Sequence, residues 1–204
     1  MSEASSKKGI SLVELIVVIG LIATVSLAIA VVASTGYKNY QTDMQSLVLQ
    51  SDAQTTINKM EEELRELTEI ETAEPNQIVF YANIKKDTAA PERIRYFVDG
   101  TSIKRGVTYP EGSPEGSAAP SEETEKLSAD TGQTEQITTL TNYLIPADSE
   151  IFTYYNSQNP PQVVTSTTAI ALIEIKFSLD DNPNKDPNAY SINTCIQPRN
   201  QKSN

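Results

Sequence analysis

The chain has no histidine, no tryptophan and one cysteine, Cys195, in 204 residues. Without histidine it lacks the commonest general base and the commonest metal ligand. A lone thiol permits no internal disulfide and no thiolate-held metal cluster. Cations are scarce as well. The 16 Lys and Arg stand against 27 Asp and Glu, giving a formal net charge of -11. Nucleic acid is therefore not an expected partner, because phosphate binding needs clustered positive charge. Proline is missing before Pro75, so nothing breaks a helix up to that point.

What is present is unevenly distributed. From Ile10 to Ala33 the chain reads ISLVELIVVIGLIATVSLAIAVVA, 24 residues with Glu14 as the one charge. As a helix this run spans roughly 36 Å, enough to cross a bilayer core with some tilt. It is too long for a secretory h-region of about 7–15 residues. Lys7 and Lys8 precede it, and the positive-inside tendency places the N-terminus in the cytoplasm and the rest outside. Glu14 needs a reason, since a carboxylate in an apolar helix costs about 2–3 kcal/mol on insertion scales. Ser11-x-x-Glu14 has the spacing of a capping box, and snorkelling toward headgroups is a second structural reading.

Neither reading explains why Lys7-Lys8-Gly9 abuts the apolar run. KKG followed by ISLVE resembles the class III signal of type IV prepilins and type II secretion pseudopilins. The resemblance implies cleavage by prepilin peptidase between Gly9 and Ile10, with Glu14 as the fifth mature residue. The first mature residue of the family is usually Phe, and here it is Ile10. The new amine of Ile10, methylated in the family, would pair with Glu14 of a neighbouring subunit and set the axial register of a filament. The implied partners are other pilin or pseudopilin subunits, prepilin peptidase, the membrane and an inner-membrane assembly platform, with no cofactor. The implied location is the cytoplasmic membrane, with one pass and an external C-terminus, and then a filament.

The helical pattern continues beyond the membrane segment. Apolar residues recur at Tyr37, Tyr40, Met44 and Leu47, then at Ala53, Ile57, Met60, Leu64 and Leu67, the 3–4 spacing of one helix face. The expected helix therefore runs from Ile10 to about Ile70, roughly 90 Å, and ends before Pro75. Glu61 and Arg65 form an i,i+4 pair, and Glu61 to Glu63 read as a solvated face. Strand character follows in 77–84, 93–98 and 102–109, with Asp99-Gly100 as a hairpin signal. Residues 110–135 are rich in Pro, Gly, Ser and acid and read as a mobile loop. Strands are expected again at 136–145, 150–155, 168–179 and 190–196. The expected fold class is α+β: a leader at 1–9, a transmembrane helix at 10–33, its continuation at 34–70, and an antiparallel β-rich head at 71–204.

This layout resembles the larger minor pilins, W-type minor pilins and J-type pseudopilins. The details that carry the likeness are Glu63-Leu64-Arg65, Arg95-Tyr96, Lys104-Arg105 and Pro198-Arg199-Asn200. Some pseudopilins hold calcium in a C-terminal loop, and here Asp180, Asp181, Asn182, Asn184, Asp186 and Asn188 offer oxygens. An EF-hand would need Gly where Lys185 stands and an acid where Ser191 stands, so a solvated turn is the better reading. Cys195 reads as a small buried residue. Tyr154-Tyr155, without neighbouring cations, is weak evidence for base stacking. No catalytic constellation is found, and an enzyme is not expected. The competing reading is a membrane-anchored binding or sensor protein with an external β domain.

Overall fold

A computed structural model describes residues 11–84, 91–109, 124–126, 134–182 and 189–199. Helix α1 runs over Leu12–Arg65, and among the described residues nine strands follow it. They are β1 (Leu67–Glu74), β2 (Gln77–Ala82), β3 (Glu92–Asp99), β4 (Ser102–Thr108), β5 (Thr124–Lys126), β6 (Thr134–Thr141), β7 (Phe152–Tyr155), β8 (Leu172–Leu179) and β9 (Tyr190–Ile196). The architecture is α+β, a long apolar N-terminal helix followed by antiparallel sheets, as in a pilin-like fold. Contacts divide the chain into two units, Met1–Met44 and Gln45–Asn204.

In the first unit every described residue as far as Gln41 is exposed. Helix α1 here is long and apolar enough to cross a membrane. Two hydroxyls, Thr24 within the apolar stretch and Ser34 just past it, are turned back on the helix. Thr24 Oγ1 donates to Leu21 O and Ser34 Oγ to Val31 O, both at 2.9 Å. Such bonds satisfy these two hydroxyls without help from water.

In the second unit the helix stripe enters a core. Leu49, Ala53, Ile57, Met60 and Leu64 pack with Ile78, Phe80, Ile94, Tyr96 and Ile103 of the larger sheet and with Phe152, Ile173, Ile175 and Phe177 of the smaller one. The larger sheet has the order β1-β2-β3-β4-β6-β5 and the smaller one β7-β8-β9. Strand β8 shows how the sequence does this. Ile173, Ile175, Phe177 and Leu179 are buried at alternate positions, the period of two that turns one strand face inward. Tyr154, from β7, joins the two sheets, donating its hydroxyl to Glu74 O at 2.9 Å. Phe152 N donates to Pro75 O at 2.9 Å alongside.

The sequence expectation placed the helix end near Ile70, and the structure ends it at Arg65. Leu67 and Ile70 are three apart, which fits a helix face as well as a distorted strand. Here a register shift between Leu67 and Glu69 lets both residues face the core from a strand. Pro75 then sits with Asn76 in the two-residue turn between β1 and β2, where it stops no helix. The hairpin after β3 also differs by one position. Asp99 pairs with Ser102, so the turn residues are Gly100 and Thr101, with Gly100 at φ 61°. Only glycine takes that backbone conformation without strain.

Candidate functional site

Two places carry chemistry. The first is the start of α1. The helix opens with Leu15 N donating to Ser11 O at 3.1 Å, and Glu14 lies in the first turn. Around it, Leu12, Val13, Leu15, Ile16, Val17 and Val18 are all exposed. Among the described residues of this stretch, Glu14 is thus the one carboxylate in a broad apolar surface. Lys7, Lys8, Gly9 and Ile10, the expected processing residues, lie outside the described residues.

The second place is where the C-terminal part of α1 meets the larger sheet, and most of it went unread in the sequence. Glu63 is buried, not solvated as the run of three acids implied. Tyr96 and Arg105 stand directly opposite each other on β3 and β4. The alternation Ile103, Arg105, Val107 turns Arg105 toward the helix with its apolar neighbours. There Glu63 Oε2 accepts from Tyr96 Oη at 2.6 Å and from Arg105 Nε at 2.8 Å. Glu63 Oε1 lies 2.7 Å from Arg105 Nη2 and 2.9 Å from Lys59 Nζ. One carboxylate thus ties the helix to two strands.

The electrostatics follow from burial. Desolvation of Tyr96, reinforced by the negative charge of Glu63, pushes its hydroxyl well above the ordinary range. Burial works against the charge on Arg105, yet the bond from Glu63 and its charge more than offset this and raise the pKa. Tyr96 therefore keeps its proton and Arg105 its charge at neutral pH. The cluster positions the C-terminal part of α1 against β3 and β4. Sequence offered one signal for it: Glu63 lies three residues from Met60 and seven from Thr56, both on the buried stripe.

On the opposite face of the sheet, Glu135 contradicts the reading of 110–135 as a mobile loop. It is fully buried in β6 and holds Arg95 in a two-pronged pair, Nε to Oε1 at 3.0 Å and Nη2 to Oε2 at 2.7 Å. The Arg95 guanidinium also lies 4.0 Å from the centre of the Phe97 ring. Gly106, opposite Arg95 in register, leaves the room for this pair, because a Cβ there would collide with the Glu135 carboxylate. Thr124–Lys126 form β5 against β6, a second departure from the loop reading. Residues 110–123 and 127–133 lie outside the described residues.

The other sequence patterns separate. The Glu61–Arg65 pair forms, at 3.3 Å. Thr194 Oγ1 donates to Glu61 Oε1 at 2.7 Å, and Arg199 closes on the helix end through Arg65 O and Glu66 Oε1. Asp180 accepts from Asn182 N at 2.8 Å in a local turn. Asn184, Asp186 and Asn188 lie outside the described residues, and among the described residues no group of three or more His, Cys, Asp or Glu gathers to hold a metal. Cys195 was expected in the core and is exposed, because β9 alternates and Ile196, not Cys195, turns inward. Tyr154 is buried and Tyr155 donates to Glu174 Oε2 at 2.7 Å, so the two tyrosines form no shared stacking surface. Comparison with protein-family models gives no match for this chain, and comparison with curated proteins gives none.

Proposed function

We propose that this chain is a structural subunit of a type IV pilus-like filament, a minor pilin or pseudopilin. The observation that carries the reading is the start of α1: a lone carboxylate in a wholly exposed apolar helix surface, preceded in sequence by Lys7-Lys8-Gly9. An apolar surface of this extent is stable in lipid or against other apolar helices, and unstable in water. Prepilin peptidase would cut after Gly9 and free the Ile10 amine, whose unperturbed pKa of about 7.7–8 leaves it largely cationic at neutral pH. In a bilayer Glu14 gains more from that amine on a neighbouring subunit than from remaining alone. The pair acts as a register key. Its net stabilisation is small, because desolvation of both charges offsets most of the attraction.

The chain would wait in the cytoplasmic membrane with its β-rich body outside, then leave the bilayer through the assembly platform into a filament or its tip. Glu14→Ala tests this. The variant should insert and be cut as the parent is, while its recovery in sheared filaments, or with co-purified partner subunits, falls at least several-fold. Unchanged incorporation would remove the docking role.

A further inference from the structure

The smaller sheet ends in β9, which pairs with β8 along one side. Among the described residues, no backbone hydrogen bond links Tyr190–Ile196 to any other element. Edge strands are normally guarded by Lys, Pro, a bulge or a covering segment. The run YSINTCI carries no charge, no proline and no glycine, and its register with β8 is unbroken over seven residues. Such an edge is a template for strand addition.

Its two ends show which strand it fits. At one end Leu179 pairs with Tyr190, and Asp180 and Asp181 follow Leu179 directly. At the other, Glu61, Glu62 and Glu66 line a shallow groove together with Arg65 and Arg199. Among the described residues, carboxylates outnumber cations at both ends, while the strand between them is neutral. A second copy pairing antiparallel would bring one acidic end against the other in a chain already at -11, so the flanks guard against self-association. An incoming strand with cations at its ends meets opposite charge at both places, roughly 20–23 Å apart.

We propose that the open edge of β9 takes up, by strand addition, an extended segment of another polypeptide with an uncharged β-forming core bracketed by Lys or Arg. This holds whether or not the chain enters a filament.

The probe is a blocked peptide, Lys-Thr-Val-Thr-Val-Thr-Val-Lys, set against the same peptide with Glu at both ends. Each is titrated into the detergent-solubilised full chain at low salt, with binding read by anisotropy and the site by hydrogen exchange. The Lys-ended peptide should bind at least tenfold more tightly and slow exchange in Tyr190–Ile196. The surface double variant Asp181→Lys with Glu62→Lys leaves the core untouched and should reverse the preference. Equal binding of the two peptides, protection confined to other strands, or a preference that survives the double variant would overturn the proposal. So would a peptide-free chain that dimerises through β9.

Discussion

Glu63 offers the sharpest test of how the second unit is held together. Replacing it by Ala removes the acceptor of Tyr96 and the partner of Arg105 while leaving both in place. The Arg105 side chain is only 16% exposed, so its charge cannot simply turn to water. Lys59, at 40% exposed, can do so and adds little. Breaking a buried pair from one side costs about 3–5 kcal/mol, most of it from the uncompensated charge. Against a total stability of about 5–15 kcal/mol, that is a large fraction. The triple variant Glu63→Leu, Arg105→Met, Tyr96→Phe removes the three buried partners together and leaves Lys59 to solvent. It should lie within about 1–2 kcal/mol of the parent, because well-packed apolar groups often replace a buried ion pair at no net loss. Urea unfolding of the detergent-solubilised chain, followed by far-UV circular dichroism, reads both values. A cost below about 1 kcal/mol for Glu63→Ala, or a triple variant as unstable as the sum of its parts, would refute the reasoning.

Gly106→Ala should destabilise by about 1–3 kcal/mol, since the added methyl must displace the Glu135–Arg95 pair, and the same urea titration measures it. Tyr96 and Tyr154 both have hydroxyls raised by burial, so the folded state holds their protons more tightly than the unfolded chain. Their contribution is complete below the unfolded pKa of about 10 and is lost as pH rises from there toward the folded values. Tyrosinate absorbance should show these two ionising only as the chain unfolds, and Tyr96→Phe should reduce the amplitude of that late step by one tyrosine. Two late tyrosines persisting in Tyr96→Phe would contradict the assignment.

Much of the fold was legible because its signals are periodic. Ile170, Leu172, Ile173, Ile175 and Phe177, which mostly alternate, marked a strand over 168–179, of which Leu172–Leu179 forms β8, and the spacing of Ala53, Ile57, Met60 and Leu64 gave the buried helix face. Local ambiguity explains the misplaced helix end: Leu67 and Ile70 fit a helix until a bulge in β1 places both inward. The internal cluster was harder. Whether Glu63 is solvated or buried depends on Tyr96 and Arg105, more than thirty residues away, and a run of acids looks the same in either case. Glu135 was hidden for a similar reason, because its surroundings in sequence are polar and its partner Arg95 comes from another strand. The start of α1 was legible outright, since an apolar run with a single carboxylate needs no tertiary context to be seen.

The most direct test of the filament-subunit reading is the N-terminal mass of the protein recovered from membranes with and without prepilin peptidase. A filament subunit should show a peptidase-dependent start at Ile10, with or without an added methyl group. A chain that keeps Met1 in the presence of the peptidase would contradict that reading, and a membrane-anchored binding protein would then take its place.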